Sequence, residues 1–503
     1  MTASLSPTYR KWLWLTLLSI LALRLFTLDA YPLQDTTEAR YGEIARIMLE
    51  TQNWVTPQFD YGVPFWGKPP LATWLSAGSY QLFGITEFAA RLPSLLLAIA
   101  MLALVYYLGK RQHSTDLGLM AATILASSLM FFVAAGAVLM DTALVTGITL
   151  SMIAFWRIMN SGGRIWGYAF FIGISIGLLA KGPLALVLIG TPIGFWSLWQ
   201  GKIRQLFKPI PWFSGGLLML ALTLPWYILA ELRTPGFLDY FIIGEHWNRF
   251  TVSGWQGDLY GSAHARPRGT IWLYAIAALL PWALFIPLLI WRRVSGSRIF
   301  ISQNHSWHIY LGLWAITPLL FFTFAGNILA TYTLPSIIPM ALLGGEIWMQ
   351  ACAANDTREG LCKTRLKLLP FAGMATPLLL VAAINLQNNG HIGTKSQKEL
   401  LAAYHQQQAI SEGRLIYLLK RPFSAQFYSR GKAIEAESWQ QAMAYFEDDI
   451  RDYYVLKNRQ LQNLPDKLRS KLQVTGQYHG YSLLREVATK ETVQNAEKTG
   501  ELL

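Results

Sequence analysis

The sequence predicts a polytopic α-helical membrane protein that carries a small α/β domain at its C-terminal end. Three observations lead there. Apolar residues make up 53% of the 503-residue chain and charged residues only 14%, well below the roughly one quarter typical of soluble globular domains. Uncharged apolar runs recur along most of the chain, each near the ~20 residues needed to cross a bilayer core as a helix. After Gln387 the pattern changes to short strand-like runs alternating with amphipathic stretches. This composition excludes intrinsic disorder and argues against an ordinary soluble enzyme. The formal net charge of +13 would suggest a nucleic-acid partner in a soluble domain. In a membrane protein it reflects basic cytoplasmic loops, so membrane lipids and no nucleic acid are the expected surroundings.

Hydropathy predicts about eleven spans: Trp12 to Leu28, Leu92 to Leu108, Leu117 to Ala135, Ala143 to Trp156, Ile165 to Leu179, Leu184 to Trp199, Trp212 to Leu229, Ile271 to Trp291, Ile309 to Phe324, Ile328 to Trp348 and Leu368 to Ile384. Alternate connections collect bases: Arg10 and Lys11; Lys110 and Arg111; Arg157 and Arg164; Lys202, Arg204 and Lys208; Arg292, Arg293 and Arg298; Arg358, Lys363, Arg365 and Lys367. The opposite connections hold more acids than bases. Because short cytoplasmic loops retain Lys and Arg, this asymmetry puts the N-terminus inside and the C-terminus outside. The first span follows Arg10 and Lys11, is interrupted by Arg24 and has no small-residue cleavage site after it, so it reads as a signal anchor.

Two domains follow. Residues 1–386 form the membrane domain, whose outer-face loops 29–91 and 230–270 are long enough to build a site. Residues 387–503 form an outer-face α/β domain, with strand-like runs at Arg414 to Leu419, Asp452 to Leu456 and Tyr481 to Leu484, and amphipathic stretches at Trp439 to Phe446 and Leu464 to Leu472. The two cysteines, Cys352 and Cys362, have neither metal-ligand spacing nor partners for a disulfide framework.

In the first outer loop, Tyr41, Ile44, Ala45, Met48 and Leu49 make an apolar stripe at helical spacing, with Glu38, Arg40, Glu43, Arg46 and Glu50 falling elsewhere. The pattern predicts a helix lying along the membrane surface. Asp35 and Glu38 stand at its start, where the helix dipole favours anions. They read either as a capping box or as working carboxylates. A second such helix begins at Trp66-Gly67-Lys68-Pro69-Pro70, with Leu71, Trp74 and Leu75 on one side. Lys68 either snorkels to headgroups or supplies a point charge for a lipid-linked phosphate.

Asp141, Lys181 and Glu231 sit at outer ends of spans, where ionisable groups are costly unless they border a water-filled site or pair with each other, as Asp141 and Lys181 would. The second outer loop contains the run Tyr240 to Phe250, with Glu245, His246 and Arg249, and then His264 and Arg266. Arg249 and Arg266 are suited to bidentate phosphate binding. No cofactor follows from the sequence with certainty. A divalent metal is the one candidate, with Glu245, His246 and His264 as its ligands, although none of them has the tight spacing of a zinc helix motif.

Several motifs resemble, in order along the chain, those of the polyprenyl-phosphate-dependent glycosyltransferases of the GT-C type, nearest to the lipid A aminoarabinose transferases and the protein O-mannosyltransferases. They are Glu38-x-Arg40-Tyr41, Trp54-x-x-Pro57, Lys68-Pro69-Pro70, Phe83-Gly84 followed by Ala90-Arg91-Leu92-Pro93, Ala180-Lys181-Gly182-Pro183, Glu245-His246-x-x-Arg249-Phe250 and Tyr332-x-Leu334-Pro335. The resemblance implies a GT-C membrane enzyme in a bacterial inner membrane with its site facing the periplasm. It would move a sugar from an undecaprenyl-phosphate carrier to lipid A or lipopolysaccharide, another envelope glycan or a protein. It also implies that an acid at the first helix start activates the acceptor, Asp35 ahead of Glu38. Arg40, Lys68 and Arg249 would handle the lipid phosphate, with Tyr41, Asp141, Lys181 and Tyr332 completing the substrate-binding set.

Two departures matter. Aligned on Arg40-Tyr41, the catalytic Asp of the aminoarabinose enzymes falls on Thr37, and Asp35 is displaced by two positions. The Glu that those enzymes carry before the lysine is Gly67 here, which argues for a neutral sugar. The alternative is a flippase for lipid-linked sugars, which would more typically show repeats with Gly or Pro breaks at matched midplane positions. Here the chain shows no internal repeat, and its candidate polar residues gather at one face.

Overall fold

The computed structural model describes residues 5–261, 264–285, 305–353, 359–408, 412–448 and 450–487. The chain forms two compact units, Met1–Ala30 with Ile47–Asn385, and Tyr31–Arg46 with Leu386–Leu503. Residues 286–291 of the span expected over Ile271 to Trp291, the basic residues Arg292, Arg293 and Arg298, and Arg358 lie outside the described residues. So do the side chains of Cys352 and Cys362.

The larger unit is helical, and its long helices coincide with predicted spans. Among the described residues five are long and apolar enough to cross a membrane: Glu87–Gln112, Met140–Met159, Arg164–Lys181, Trp212–Arg233 and the Leu369–Asn388 part of the last helix. The protein is therefore a multi-pass membrane protein. Along Trp212–Arg233 the side chains of Phe213, Leu217, Leu220 and Leu224 are exposed, a row that hydrocarbon covers without cost and water does not. The span expected over Leu117 to Ala135 is two helices, Thr115–Ser127 and Leu129–Ala134, broken at the extended residue Ser128. Ser127 and Ser128 both turn their hydroxyls back onto carbonyls of the preceding turn, the competition with backbone pairing that bends helices.

Inside, Trp196, Trp307, Tyr310 and Trp314 are fully buried. Trp156 packs on them with ring centroids 4.8 Å from Trp307 and 4.9 Å from Tyr310. Met140–Met159 and Arg164–Lys181 touch through glycine. A Cβ on Gly147 would lie 2.5 Å from the Gly173 carbonyl oxygen, so only a hydrogen side chain permits this small-residue crossing. The charge that interrupts the first helix, Pro7–Phe26, is accommodated: buried Arg24 donates to the Val133 carbonyl at 3.1 Å and lies over the Phe132 ring. Arg91 is likewise buried, donating to the Leu28 carbonyl at 2.6 Å. That arginine of the Ala90–Pro93 motif is thus a brace. A hairpin, β1 (Gln58–Asp60) with β2 (Val63–Pro64), leads into Trp66–Lys68 and the helix Leu71–Phe83, which starts just after the two prolines.

The smaller unit is a five-stranded sheet in the order β4-β3-β5-β7-β6, where β3 is Leu415–Leu418, β4 Ile434–Ala436, β5 Tyr453–Lys457, β6 Leu472–Tyr478 and β7 Tyr481–Glu486. The first three strands pair parallel and β5, β7 and β6 antiparallel. Period-2 alternation gives it two apolar faces. Leu415, Tyr417, Tyr453 and Val455 pack with Leu400, Leu401 and Ala425 on one; Ile416, Leu418, Tyr454 and Leu456 pack with Ala442, Phe446 and Leu468 on the other. The expected α/β character holds. Of the two predicted amphipathic stretches, Trp439–Tyr445 is a helix, whereas the second shrinks to Asp466–Arg469 before β6 begins at Leu472.

The helix predicted after Asp35 spans Thr37–Thr51. It is not a surface helix with a wet polar face. Glu43 and Arg46 are as buried as Ile44, Ala45 and Met48, and they pair with each other through two hydrogen bonds of 2.7 Å.

Candidate active site

In the larger unit the run after Tyr240 coils as a π-helix, Tyr240–Asn248, a rare conformation that recurs at functional sites. It presents Glu245 to two cations. Lys68 Nζ donates to Glu245 Oε2 at 2.7 Å, and Arg249 Nη1 donates to both carboxylate oxygens at 2.9 and 3.0 Å. Asp258 lies 3.4 Å from Arg249 Nη1. Burial disfavours the charged Glu245, but Lys68 and Arg249 outweigh it and hold the carboxyl below its usual range. Tyr260 fixes the approach of Lys68: its hydroxyl accepts from the Trp66 amide at 2.9 Å and donates to the Pro64 carbonyl at 2.8 Å. Burial pushes that hydroxyl up to about 12, so it stays a neutral donor. On the far side Asn327 Nδ2 donates to the Arg249 carbonyl at 2.7 Å.

A second ion pair stands beside the first. Lys181, the last residue of its helix, donates to Asp141 Oδ1 at 2.5 Å in the first turn of another, each charge at the helix end whose dipole favours it. Gly182 follows with φ of +73°, and a Cβ there would strike the Phe241 ring at 2.5 Å, so glycine is required twice over. The Tyr332 ring centroid is 4.5 Å from Lys181 Nζ, and Tyr332 is within electrostatic reach of Lys181, Asp141, Arg249 and Glu245 alike. The larger unit thus gathers Lys68, Asp141, Lys181, Glu245, Arg249 and Tyr332 in one neighbourhood. Glu231 is elsewhere, accepting from the Gly236 and Leu238 amides.

The metal expectation is corrected. Glu245 is already matched by two cations, and both ring nitrogens of His246 face carbonyl oxygens, Phe241 at 2.7 Å and Lys181 at 3.0 Å. His264 is exposed, its carbonyl accepting from the Ile328 amide. Among the described residues no group of three His, Cys, Asp or Glu side chains is placed to hold a metal ion. These residues do not fit a divalent cation.

Gly67, where a Glu would distinguish the aminoarabinose enzymes, is spatially constrained. A Cβ there would come within 2.9 Å of the Phe65 ring and 3.4 Å of the Tyr260 ring.

In the smaller unit Asp35 is held by Ser424. The Ser424 amide donates to Asp35 Oδ1 at 3.0 Å and its hydroxyl donates to Oδ2, while the Asp35 amide donates to the Lys395 carbonyl at 2.7 Å. Burial raises the Asp35 carboxyl above the usual aspartate range, opposed by hydrogen bonds from the Ser424 hydroxyl and the Ser424 and Phe423 amides. Glu38 reaches back to the Gln34 amide at 3.2 Å, so the capping half of the sequence reading belongs to Glu38. Arg40 lies over the rings of Tyr41 and Phe423, 5.0 and 6.0 Å from their centroids. Sequence reasoning missed Ser424, Asp258, Tyr260 and Asn327. Tyr260 and Asp258 lay inside a loop already singled out, whereas nothing in the sequence links Ser424 to a residue 389 positions away.

A family model for dolichyl-phosphate-mannose-protein mannosyltransferases matches residues 12–241. The chain is 33% identical over 334 residues to the undecaprenyl phosphate-alpha-4-amino-4-deoxy-L-arabinose arabinosyl transferase of Erwinia tasmaniensis, covering 63% of this chain and 56% of that one. It is 31% identical over 345 residues to a protein of that name from Pseudomonas fluorescens, covering 66% and 56%. It therefore spans less than two thirds of the length of these relatives. Two solved structures share its fold. ArnT from Cupriavidus metallidurans bound to undecaprenyl phosphate matches with a TM-score of 0.75 at 19% identity, over 95% of this chain and 98% of that one. The oligosaccharyltransferase AglB from Archaeoglobus fulgidus matches with a TM-score of 0.52 at 11% identity, over 90% and 70%.

The chain is a membrane protein of the GT-C fold. By sequence it is similar to the dolichyl-phosphate-mannose-protein mannosyltransferase model and to the arabinosyl transferases named above.

Proposed function

We infer that the protein transfers a sugar from an undecaprenyl-phosphate carrier to an envelope acceptor, at the periplasmic face of a bacterial inner membrane. The observation that carries this reading is the convergence of Lys68 and Arg249, from two separate loops, on one buried carboxylate. Two cations fixed around a shared anion form a preorganised seat for a phosphate, with charge placed where a leaving group gains it. Tyr332 and Lys181 extend that seat.

In the reaction the bond from the anomeric carbon to the carrier phosphate breaks and one to an acceptor hydroxyl oxygen forms. The hydroxyl proton goes to a carboxylate, and the polyprenyl phosphate leaves as an anion stabilised by Lys68 and Arg249. A phosphate is already a good leaving group, so fixed cations can take the place of a general acid. The motif resemblance points to Asp35 as that carboxylate, with Glu38, whose oxygen caps a helix, as the second choice. Arg40 and Tyr41 support the same role at that helix start. The sugar is assigned as neutral, since Gly67 has neither a carboxylate nor ready room for one. Lipid A or lipopolysaccharide, another glycan and a protein hydroxyl are the acceptor classes.

The test is mass spectrometry of polyprenyl-phosphate lipids and envelope glycans from cells with and without the intact gene. Transfer predicts that its loss makes one polyprenyl phosphosugar accumulate while one glycan or protein loses that sugar. An unchanged carrier pool and unchanged glycans, in cells that make the protein, would remove the reading. Flipping without transfer would give a sidedness defect with no transferase activity in purified protein.

A further inference from the structure

The smaller unit contains a feature that the transfer reaction does not use. Strand β3 sits between β4 and β5, so the chain leaves β3 toward β4 and later crosses back to β5 on the other side. The segment after β3 folds over the face holding Ala425, and the segment after β5 folds over the opposite face, holding Leu464 and Leu468. The two connections diverge beyond the carboxyl ends of β3 and β5, the position at which open α/β sheets form a ligand crevice.

The charged residues that follow both strands are bases: Lys420 and Arg421 after β3, Lys457 at the end of β5 and Arg459 beyond it. Lys420 and Arg459 are exposed and Lys457 is half-buried. In the parallel pairing of β3 with β5, Tyr417 stands opposite Val455, so Lys420 and Lys457 leave neighbouring strand ends and Arg459 follows two residues on. Arg459 and Lys420 both act on Lys457, whose ammonium burial and these two charges lower below its usual range. Arg421 is engaged, donating to the Ala433 carbonyl at 2.6 Å and lying 3.8 Å from Glu435. The acids of this edge stand mainly to one side, Glu435 and Glu437 on or beside β4, with Lys420 also acting on Glu435. Glu399 is taken by His479 at 2.8 Å. Tyr481 closes the floor: Lys457 Nζ is 5.9 Å from its ring centroid, and its hydroxyl senses both Asp35 and Arg459.

We propose that the crevice beyond β3 and β5 binds a phosphate or pyrophosphate group through Lys420, Lys457 and Arg459. Asp35 belongs to the same unit, and both it and Arg459 are among the charges that act on Tyr481. In one respect the inference rests on the transferase reading: that reading makes the ligand the phosphate of the acceptor, held while a hydroxyl meets Asp35. The binding itself does not depend on it.

The experiment uses full-length protein in nanodiscs of neutral lipid, carrying Lys68→Ala so that the cation pair of the larger unit is weakened. Inorganic pyrophosphate is titrated by calorimetry at low salt. Saturable binding is expected, weakened about tenfold by Arg459→Glu or Lys420→Glu, the scale of losing one charge-assisted contact. Both positions are exposed, so folding is preserved, and Lys457→Ala serves as a third probe. Absent binding, or binding indifferent to all three substitutions, overturns the inference. Repeating the titration with anionic lipid in the discs separates two sources of phosphate: competition by that lipid identifies a membrane headgroup, and indifference to it identifies a glycan or free phosphate. Sugar transfer is not read in either titration, so failure of the transferase reading leaves this result intact, and loss of pyrophosphate binding leaves transfer to be judged by the lipid and glycan analysis.

Discussion

The Lys68 ammonium donates to Glu245 at 2.7 Å across 177 residues of chain, and Arg249 donates to the same carboxylate from one helical turn away. Lys68→Ala is expected to cut transfer by at least ~100-fold, the low end for removing a charge stabiliser, measured with purified enzyme and polyprenyl phosphosugar. Glu245→Ala acts through the other term, because it removes the carboxylate that Lys68 and Arg249 share, with Asp258 3.4 Å from Arg249 as a remaining acid. It should cost about 2 kcal/mol, below the usual loss for a buried pair because the Lys68 and Arg249 side chains keep 14% and 19% of their exposure. Chemical denaturation in detergent would report it. A Glu245→Ala protein as stable as the parent would mean that the cations find other partners.

Asp35→Asn keeps an oxygen for the Ser424 donors but removes the base of the proposed transfer, so on that proposal a well-folded variant should lose at least ~100-fold in transfer. Full activity would move the assignment to Glu38. Ser424→Ala tests the same carboxyl differently. Its hydroxyl holds the Asp35 pKa down, so removing it raises that pKa, and the acid limb of the pH–rate profile moves to higher pH. A uniform loss of rate with an unmoved limb would make Ser424 a packing residue only.

His246 predicts a pH dependence of stability. Burial lowers its pKa below the ordinary value, ahead of the Phe241 and Lys181 carbonyls that favour the proton. The unfolded chain then binds a proton that the folded chain does not, between the lowered value and about 6.5. Stability contributed by this group is complete above that pH and is lost as pH falls through the window. Asp35, with its raised folded pKa, has the opposite sign: stability falls as pH rises from the ordinary aspartate range through the raised value. Melting curves from pH 5 to 8 should lose the His246 slope in His246→Gln, and an unaltered slope would assign it elsewhere.

The buried Glu43–Arg46 pair predicts a structural effect with no catalytic signature. Arg46→Leu removes two hydrogen bonds from buried Glu43 and should destabilise by ~3 kcal/mol or more, whereas the double change Glu43→Leu with Arg46→Leu should recover most of that loss. Equal losses in the single and double variants, in a double-mutant cycle read by denaturation, would show that the pair contributes through packing alone.

Much of the fold was legible in the chain because hydropathy is a one-dimensional signal. Long helices fell where long apolar runs lay, and β3, β5 and β7 where short apolar strand-like runs lay. What escaped was set by exceptions to the period. Ser127 and Ser128 broke one expected span, β6 is largely polar and exposed, and the helix after Asp35 is buried on the face that its Glu43 and Arg46 would have kept wet. Of the candidate site, Lys68, Arg249, Lys181, Asp141 and Tyr332 were named in advance and came together. Glu245 was named as a metal ligand and proved instead to be the counter-ion of two of them.

By itself the sequence determined a multi-pass helical protein, a change to α/β structure near residue 387, and the residue types that gather in the loops 29–91 and 230–270, since composition and local periodicity encode burial without reference to distant contacts. Only the tertiary structure decided which charge meets which. Lys68 shares Glu245 with Arg249, Asp141 takes Lys181, and Asp35 turns to Ser424. The physical reason is that an ion pair or buried hydrogen bond depends on side-chain atoms meeting within about 3 Å, and those meetings are arranged by helix crossings and strand order over hundreds of residues.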